Sequence, residues 1–454
     1  MLGLAAALAV AFSPAQSLPQ ADSLEHDRVI GALGAQLDSQ LTRFAEYGFW
    51  GTVLVVRDGR VVLSKGYGLA DASRGIRNTA ATRFELNSMT KMFTGVAILQ
   101  LDASGRLRVS DPIDRPLGPF PAAKQRATIE QLASHTAGLV VAGTPLAGET
   151  RDAFVEDVKR TPRESSPGRQ YRYTNAGFSL LAAIIELVSG ESYEDYVRRH
   201  LFAPAGMRSA TFRDRVPPDD SLFAHGYVGT PARLEPGPRN PYVWGTRGAG
   251  GVWSTVGDVY RWLVAVEGEG ILPEVQRRLL FSPPRPPAQE AYGWHVETTA
   301  EGRLLIQKGG GSNDFATHVR YYPRERVVIV WATNNLRQRW RQALNHALSG
   351  ITFGGTVSSL PPVVSVPPAT LRARAGRYVS GGDTLELRAG PGYLYVVPNR
   401  LEVPTNLMFF PEDRFHFTAF DPPSGTQTRL WFGEGDDRSV TVELAGGRRV
   451  VARP

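Results

Sequence analysis

Phe84-Glu85-Leu86-Asn87-Ser88-Met89-Thr90-Lys91-Met92-Phe93-Thr94 sets a serine and a lysine three residues apart at the head of an apolar-periodic segment. On a helix those positions share a face, one turn apart. A hydroxyl in the first turn also feels the positive end of the helix dipole. A lysine one turn on can take its proton if burial or a neighbouring cation lowers the lysine pKa. Taken alone the pair is weak, because a serine before a helix is usually a cap and a lysine in the next turn is usually solvated. Lysine is scarce here, at 65, 91, 124, 159 and 308, and only Lys91 follows a Ser or Thr by three residues.

The chain around this stretch has 454 residues, 42% hydrophobic and 21% charged, which suits a globular protein with more than one domain's worth of core. It has no cysteine, so disulfides, thiolate metal sites and cysteine nucleophiles are excluded. The net charge of +7 comes from dispersed arginines rather than a basic run, which argues against nucleic acid and is compatible with proximity to an anionic cell wall or membrane surface. Leu2 to Phe12 is apolar and leads into Ser13-Pro14-Ala15-Gln16-Ser17. It reads as a secretory signal over 1–17 or as an uncleaved anchor, and implies export to the periplasm or beyond. It is too short for an ordinary transmembrane helix.

Working outward, Val29 to Phe44 has helical spacing, and two β-rich runs, 51–57 and 60–68, meet at the hairpin signal Asp58-Gly59. Thr128-Ile129-Glu130-Gln131 is a capping box, 176–188 an apolar helix ending at Gly190, and Ser254 to Leu263 a further helix with Thr255 and Asp258 as its capping pair. The Pro- and Gly-rich stretch 212–250 reads as long surface loop of the kind that shapes a cleft. Strands are expected at 303–308, 316–322 and 326–332, and a helix at 336–348. These elements imply an α+β domain over 25–350: an antiparallel sheet with helices on it, plus a helical lobe. Residues 351–368 read as a Pro/Gly-rich linker. Six short strands between 384 and 452 then suggest a small antiparallel β-barrel or sandwich over 369–454.

Two further motifs bear on chemistry. Tyr173-Thr174-Asn175 precedes the apolar helix, and Asn175 either caps that helix or binds substrate and orients Lys91. Tyr173 either packs or relays a proton, with nearby ammonium groups favouring its anion. Lys308-Gly309-Gly310-Gly311-Ser312 ends a strand. It is either a glycine-rich turn or a strand edge that substrate can approach, with Gly311 and Ser88 N–H groups as an oxyanion hole and Lys308 attracting a substrate carboxylate.

In this order the three motifs resemble the serine β-lactamase and penicillin-binding superfamily. The Tyr-x-Asn form resembles the branch of class C β-lactamases, D-alanyl-D-alanine carboxypeptidases, D-aminopeptidases and related esterases. Gln131 to Leu139, Pro204-Ala205-Gly206-Met207 and Gly250 to Thr255 are similar to that branch too, and the resemblance covers roughly 25–350. It implies catalytic Ser88, Lys91 and Tyr173, with Asn175, Lys308, Gly310 and Gly311 binding substrate or oxyanion, and no metal or cofactor. It also implies an exported serine hydrolase acting through an acyl-enzyme on an ester, amide or D-amino-acid peptide. The alternatives are a β-lactamase and a penicillin- or wall-peptide-binding protein without turnover. Gly309 stands where β-lactam-recognising members carry Thr or Ser, which weakens the β-lactamase alternative, and Asp314 replaces a glycine in the pocket wall. His135 reads as a core or capping histidine. The barrel either recruits a partner or caps the cleft.

Overall fold

The computed structural model describes residues 24–120, 127–139, 150–217, 220–230, 233–237, 241–282, 288–335, 340–357, 360–397, 408–421, 426–433, 437–444 and 447–454. Residues 1–17, read from the sequence as a signal, lie outside them. Among the described residues no helix is long and apolar enough to cross a membrane.

The central sheet has eight antiparallel strands. In spatial order they are Arg28–Val29, Arg60–Tyr67, Gly51–Arg57, Val327–Thr333, Ala316–Tyr322, Leu304–Gly311, Trp294–Thr298 and Glu290–Ala291. Asp58 and Gly59 both take positive φ, 51° and 70°, which is the two-residue hairpin their sequence calls for. Val327–Thr333 is apolar through Ala332 and buried throughout because it has packed layers on both faces. On one face lie the helices Gly31–Glu46 and Arg341–Thr352, whose leucines and alanines meet Val53, Val55, Ile329 and Trp331. The other face meets the helix Val256–Glu267 and the helical lobe.

The helix Asn175–Ser189 runs through the middle of that lobe. It is apolar on nearly every side and buried from Ala176 to Ile185, as an all-round apolar helix must be. Gly190, left-handed at φ 77°, ends it. The capping box at Thr128 and Gln131 forms as its sequence predicts. Thr255 likewise accepts from the Asp258 N–H.

The stretch 212–250 departs from a surface loop. It holds the hairpin Tyr227–Thr230 with Arg233–Pro236 and a 3-10 turn at Trp244–Thr246. Phe212, Phe223, Trp244 and Ala249 are buried in the lobe core. Proline and glycine content suggested exposure, but aromatic anchors spaced along the stretch pull it inward.

The C-terminal sheet has eight strands, from Gly376–Ser380 to Arg449–Ala452, each paired with the next. Backbone bonds between Val379 and Arg453, 2.7 and 3.0 Å, nearly close it into a barrel. Two of these strands, Gly376–Ser380 and Met408–Pro411, are additional to the six expected. Both are short and carry too little alternation to stand out. The barrel docks through Tyr393 and Phe410 onto Tyr47, with the Tyr47 and Phe410 ring centroids 4.9 Å apart. This contact lies on the layer formed by Gly31–Glu46 and Arg341–Thr352, behind the sheet as seen from Ser88. None of the described residues lining the Ser88 cleft comes from the barrel, which counts against a cap.

Candidate active site

The chain enters the helical segment that carries Ser88 and Lys91 through a sharp bend. Asn87 takes φ +50°, a left-handed conformation that costs most residues roughly 1–2 kcal/mol and that Asn tolerates better than most. A 3-10 turn, Asn87–Thr90, then leads into the α-helix Lys91–Ala103. Ser88 therefore sits just ahead of the regular helix, with Lys91 opening it.

Neighbouring segments clamp this helix. Thr94 Oγ1 donates to the Gly248 carbonyl at 2.7 Å, and the Val252 N–H donates to Thr90 Oγ1 at 3.3 Å. A methyl at Gly95 would lie 2.0 Å from the Tyr292 carbonyl oxygen, so glycine is required where the helix crosses that segment.

Lys91 is fully buried, and burial lowers its pKa from 10.5 to about 7, although Glu290 acts against the shift. Its Nζ lies 2.8 Å from Asn175 Oδ1, 2.9 Å from the Ala249 carbonyl oxygen and 3.1 Å from Ser88 Oγ. The first two partners only accept. A neutral amine has two N–H donors and one lone pair. Asn175 and Ala249 take the donors, which leaves the lone pair for the Ser88 hydroxyl proton.

Asn175 is the first residue of its helix and makes no capping bond; Thr174 holds the N-cap position. Its oxygen is committed to Lys91, which frees its amide N–H groups for the cleft that it lines.

Tyr173 is 42% exposed, and its ring centroid lies 5.0 Å from Lys91 Nζ and 5.4 Å from Lys308 Nζ. Desolvation at its hydroxyl raises its pKa, against the opposing pull of Lys308 and of a hydrogen bond with Ser88. The neighbouring cations thus do not make Tyr173 a resting anion, which leaves the relay reading of the sequence. Tyr173 holds its proton at neutral pH, and the lowered pKa of the pair belongs to Lys91.

Lys308 is 4% exposed and does not line the cleft. Its Nζ donates to Glu290 Oε2 at 2.5 Å. The positive potential expected to attract a substrate carboxylate is therefore offset by a buried counter-charge. Burial would raise the Glu290 pKa, but the Lys308 charge and His135 hold it below the ordinary carboxylate range.

No sequence signal pointed to Glu290, which is one of 44 acidic residues in the chain. His135, at φ +58°, accepts from the Thr174 N–H through Nδ1 at 3.2 Å and turns Nε2 toward Glu290 at 3.5 Å. Its ring lies 4.4 Å from that of Tyr173. Burial lowers its pKa to about 4, so it is neutral and positions its neighbours.

The glycine strand remains paired through Gly311, so Lys308 to Gly311 continue the strand rather than form a turn. Trp294–Thr298 stops opposite Gln307. Residues 308–311 therefore have one edge without a neighbouring strand. Gly310 makes the approach to Ser88 possible: a Cβ there would meet the Leu86 carbonyl oxygen at 2.1 Å and the Ser88 nitrogen at 2.9 Å. Gly311 and Ser312 line a cleft of about 530 Å³ together with Ser88 and Asn175. Asp314, the departure noted in the sequence, accepts from Ser312 Oγ at 2.7 Å. It fits because Gly226 and Gly237 carry no side chains, and a Cβ on either would lie within 2.3 Å of its carboxylate.

This fold and cleft are those of a serine β-lactamase-like protein. The sequence profile of the Beta-lactamase family matches residues 31–349, and the chain belongs to that family. Penicillin-binding protein 4* of Bacillus subtilis is 29% identical over 333 residues, covering 68% of this chain and 73% of that protein. Teichoic acid D-alanine hydrolase of Staphylococcus aureus is 26% identical, covering 63% and 70%. The chain spans from 34% to 73% of the length of the first curated relatives it matches. The fold also matches the octameric penicillin-binding protein homologue from Pyrococcus abyssi, with TM-score 0.65 and 21% identity over 93% of this chain and all of that one.

Proposed function

We propose that the chain is an exported serine hydrolase that forms an acyl-enzyme at Ser88 on an ester, amide or D-amino-acid peptide. The observation that carries this reading is the hydrogen bonding of Lys91, whose two N–H donors are taken and whose remaining lone pair faces Ser88 Oγ at 3.1 Å. Ser88 Oγ bonds to the carbonyl carbon while its proton passes to Lys91. The N–H groups of Ser88 and Gly311 hold the oxyanion. Lys91 returns the proton through Tyr173 to the leaving oxygen or nitrogen as its bond to the carbonyl carbon breaks. Water then attacks the acyl carbon, its proton travels by the same two residues, and Ser88 regains its hydroxyl.

Membership of a family whose relatives include hydrolases supports a serine hydrolase. The neutralised Lys308 and the missing hydroxyl at Gly309 speak for an ester or peptide over a β-lactam. The test is p-nitrophenyl acetate hydrolysis from the first turnover, with wild type and Ser88→Ala. A burst followed by a steady rate, both lost in the variant, supports the reading. A burst without steady turnover supports a binding protein, and full activity in the variant overturns the mechanism.

A further inference from the structure

The cleft has a charged wall that the chemistry at Ser88 leaves unused. Glu85 and Arg213 both line it. Glu85 ends the strand Phe84–Glu85, three residues before Ser88, and Arg213 follows the strand Thr211–Phe212. Both strands pair with Val252–Ser254, the segment that also receives Thr90 of the nucleophile turn. The two side chains are thus fixed to the same framework as Ser88.

Arg213 donates to Glu85 Oε1. The Glu85 side chain is only 6% exposed, and its second oxygen, Oε2, accepts no hydrogen bond among the described residues. That second oxygen is not sealed in the core, because Glu85 lines the cleft and Oε2 can take a donor that enters it. Asp314 is a second carboxylate acting on the same guanidinium, and its only hydrogen-bond donor among the described residues is Ser312. Asp314 thus adds negative potential beside the Glu85–Arg213 pair. Lys308 does not correct the balance, because Glu290 holds it. An unused acceptor oxygen that opens on the cleft, in the negative potential of Asp314, fits a cationic donor.

We propose that Glu85, oriented by Arg213, receives the ammonium group of an aminoacyl substrate, so that the preferred esters or amides carry a free amine on the acyl part. This rests on the acyl-enzyme reading above. Glu85 would contact substrate and set specificity; Arg213 is a positioning residue.

The test compares kcat/KM for alanine and β-alanine methyl esters with that for methyl propionate, in wild type and Glu85→Gln. The ammonium also activates an ester intrinsically, but that factor cancels when the ratio in the variant is divided by the ratio in wild type. The amine-to-propionate ratio should fall at least tenfold in the variant, the size expected of a hydrogen bond to a charged group. An unchanged ratio, in a variant that still hydrolyses methyl propionate, overturns the proposal. A second measurement needs no variant: inhibition of wild-type p-nitrophenyl acetate hydrolysis by alaninamide and by propionamide. Alaninamide should inhibit at least tenfold more tightly, and equal inhibition overturns the proposal even if Glu85→Gln fails to fold. Loss of Ser88-dependent p-nitrophenyl acetate hydrolysis would instead overturn the acyl-enzyme reading, and this inference with it.

Discussion

Replacing Lys91 with Met should make the stability difference between the two proteins depend on pH, in a direction fixed by the buried amine. Lys91 has a pKa of about 7 in the fold against 10.5 unfolded. Below pH 7 both states hold the proton, and the folded chain carries a buried ammonium that costs about 5 kcal/mol, from 3.5 units at about 1.4 kcal/mol each. Between the two pKa values only the unfolded chain binds the proton, so the cost is relieved as pH rises. At pH 9 about 2 kcal/mol of it remains. Wild-type stability relative to the variant should therefore rise by about 3 kcal/mol from pH 6 to pH 9. The variant also strands the Asn175 and Ala249 oxygens, at roughly 1–3 kcal/mol each, but that term is the same at both pH values. Guanidinium denaturation followed by tryptophan fluorescence measures the difference, since Trp262 and Trp294 share the core with Met92 and Phe93. The same ionisation should appear in catalysis. The kcat/KM for p-nitrophenyl acetate should climb about tenfold per pH unit below 7 and level off above it. A stability difference that is flat or falls with pH, or a rate that still climbs at pH 9, would refute the assignment of Lys91 as the base.

Three further outcomes follow from the same geometry. Gly310→Ala drives a methyl into the Leu86 carbonyl, and the resulting shift of the Ser88 backbone should lower kcat/KM at least a hundredfold in the same assay. Glu290→Gln leaves Lys308 buried without its counter-ion and should cost about 3–5 kcal/mol in denaturant melts. It should also move the pH–rate inflection downward, because Glu290 holds the Lys91 pKa up. Phe410→Ala removes a ring packed on Tyr47 and Tyr393 and should cost about 3 kcal/mol, with kcat/KM unchanged because the barrel docks away from the cleft.

The sequence by itself determined the elements and the motif residues, because both are local. Periodicity placed the helices, Asp58-Gly59 the hairpin, Thr128 to Gln131 the capping box, and Gly190 a helix end. The spacing of Ser88 and Lys91 put two reactive groups within one turn of each other. Only the tertiary structure decided their ionisation and their partners. Lys91 has its pKa lowered because the lobe closes over it, and Asn175 turns from a cap into a lysine ligand because its helix abuts that site. Lys308 was legible as a cation but not as a neutralised one, since Glu290 reaches it across a strand pairing that leaves no local trace. The wall formed by Glu85 and Arg213 is of the same kind, assembled by two short strands on a third. Desolvation and charge pairing depend on distances between segments far apart in the chain, and those distances exist only once the chain has folded.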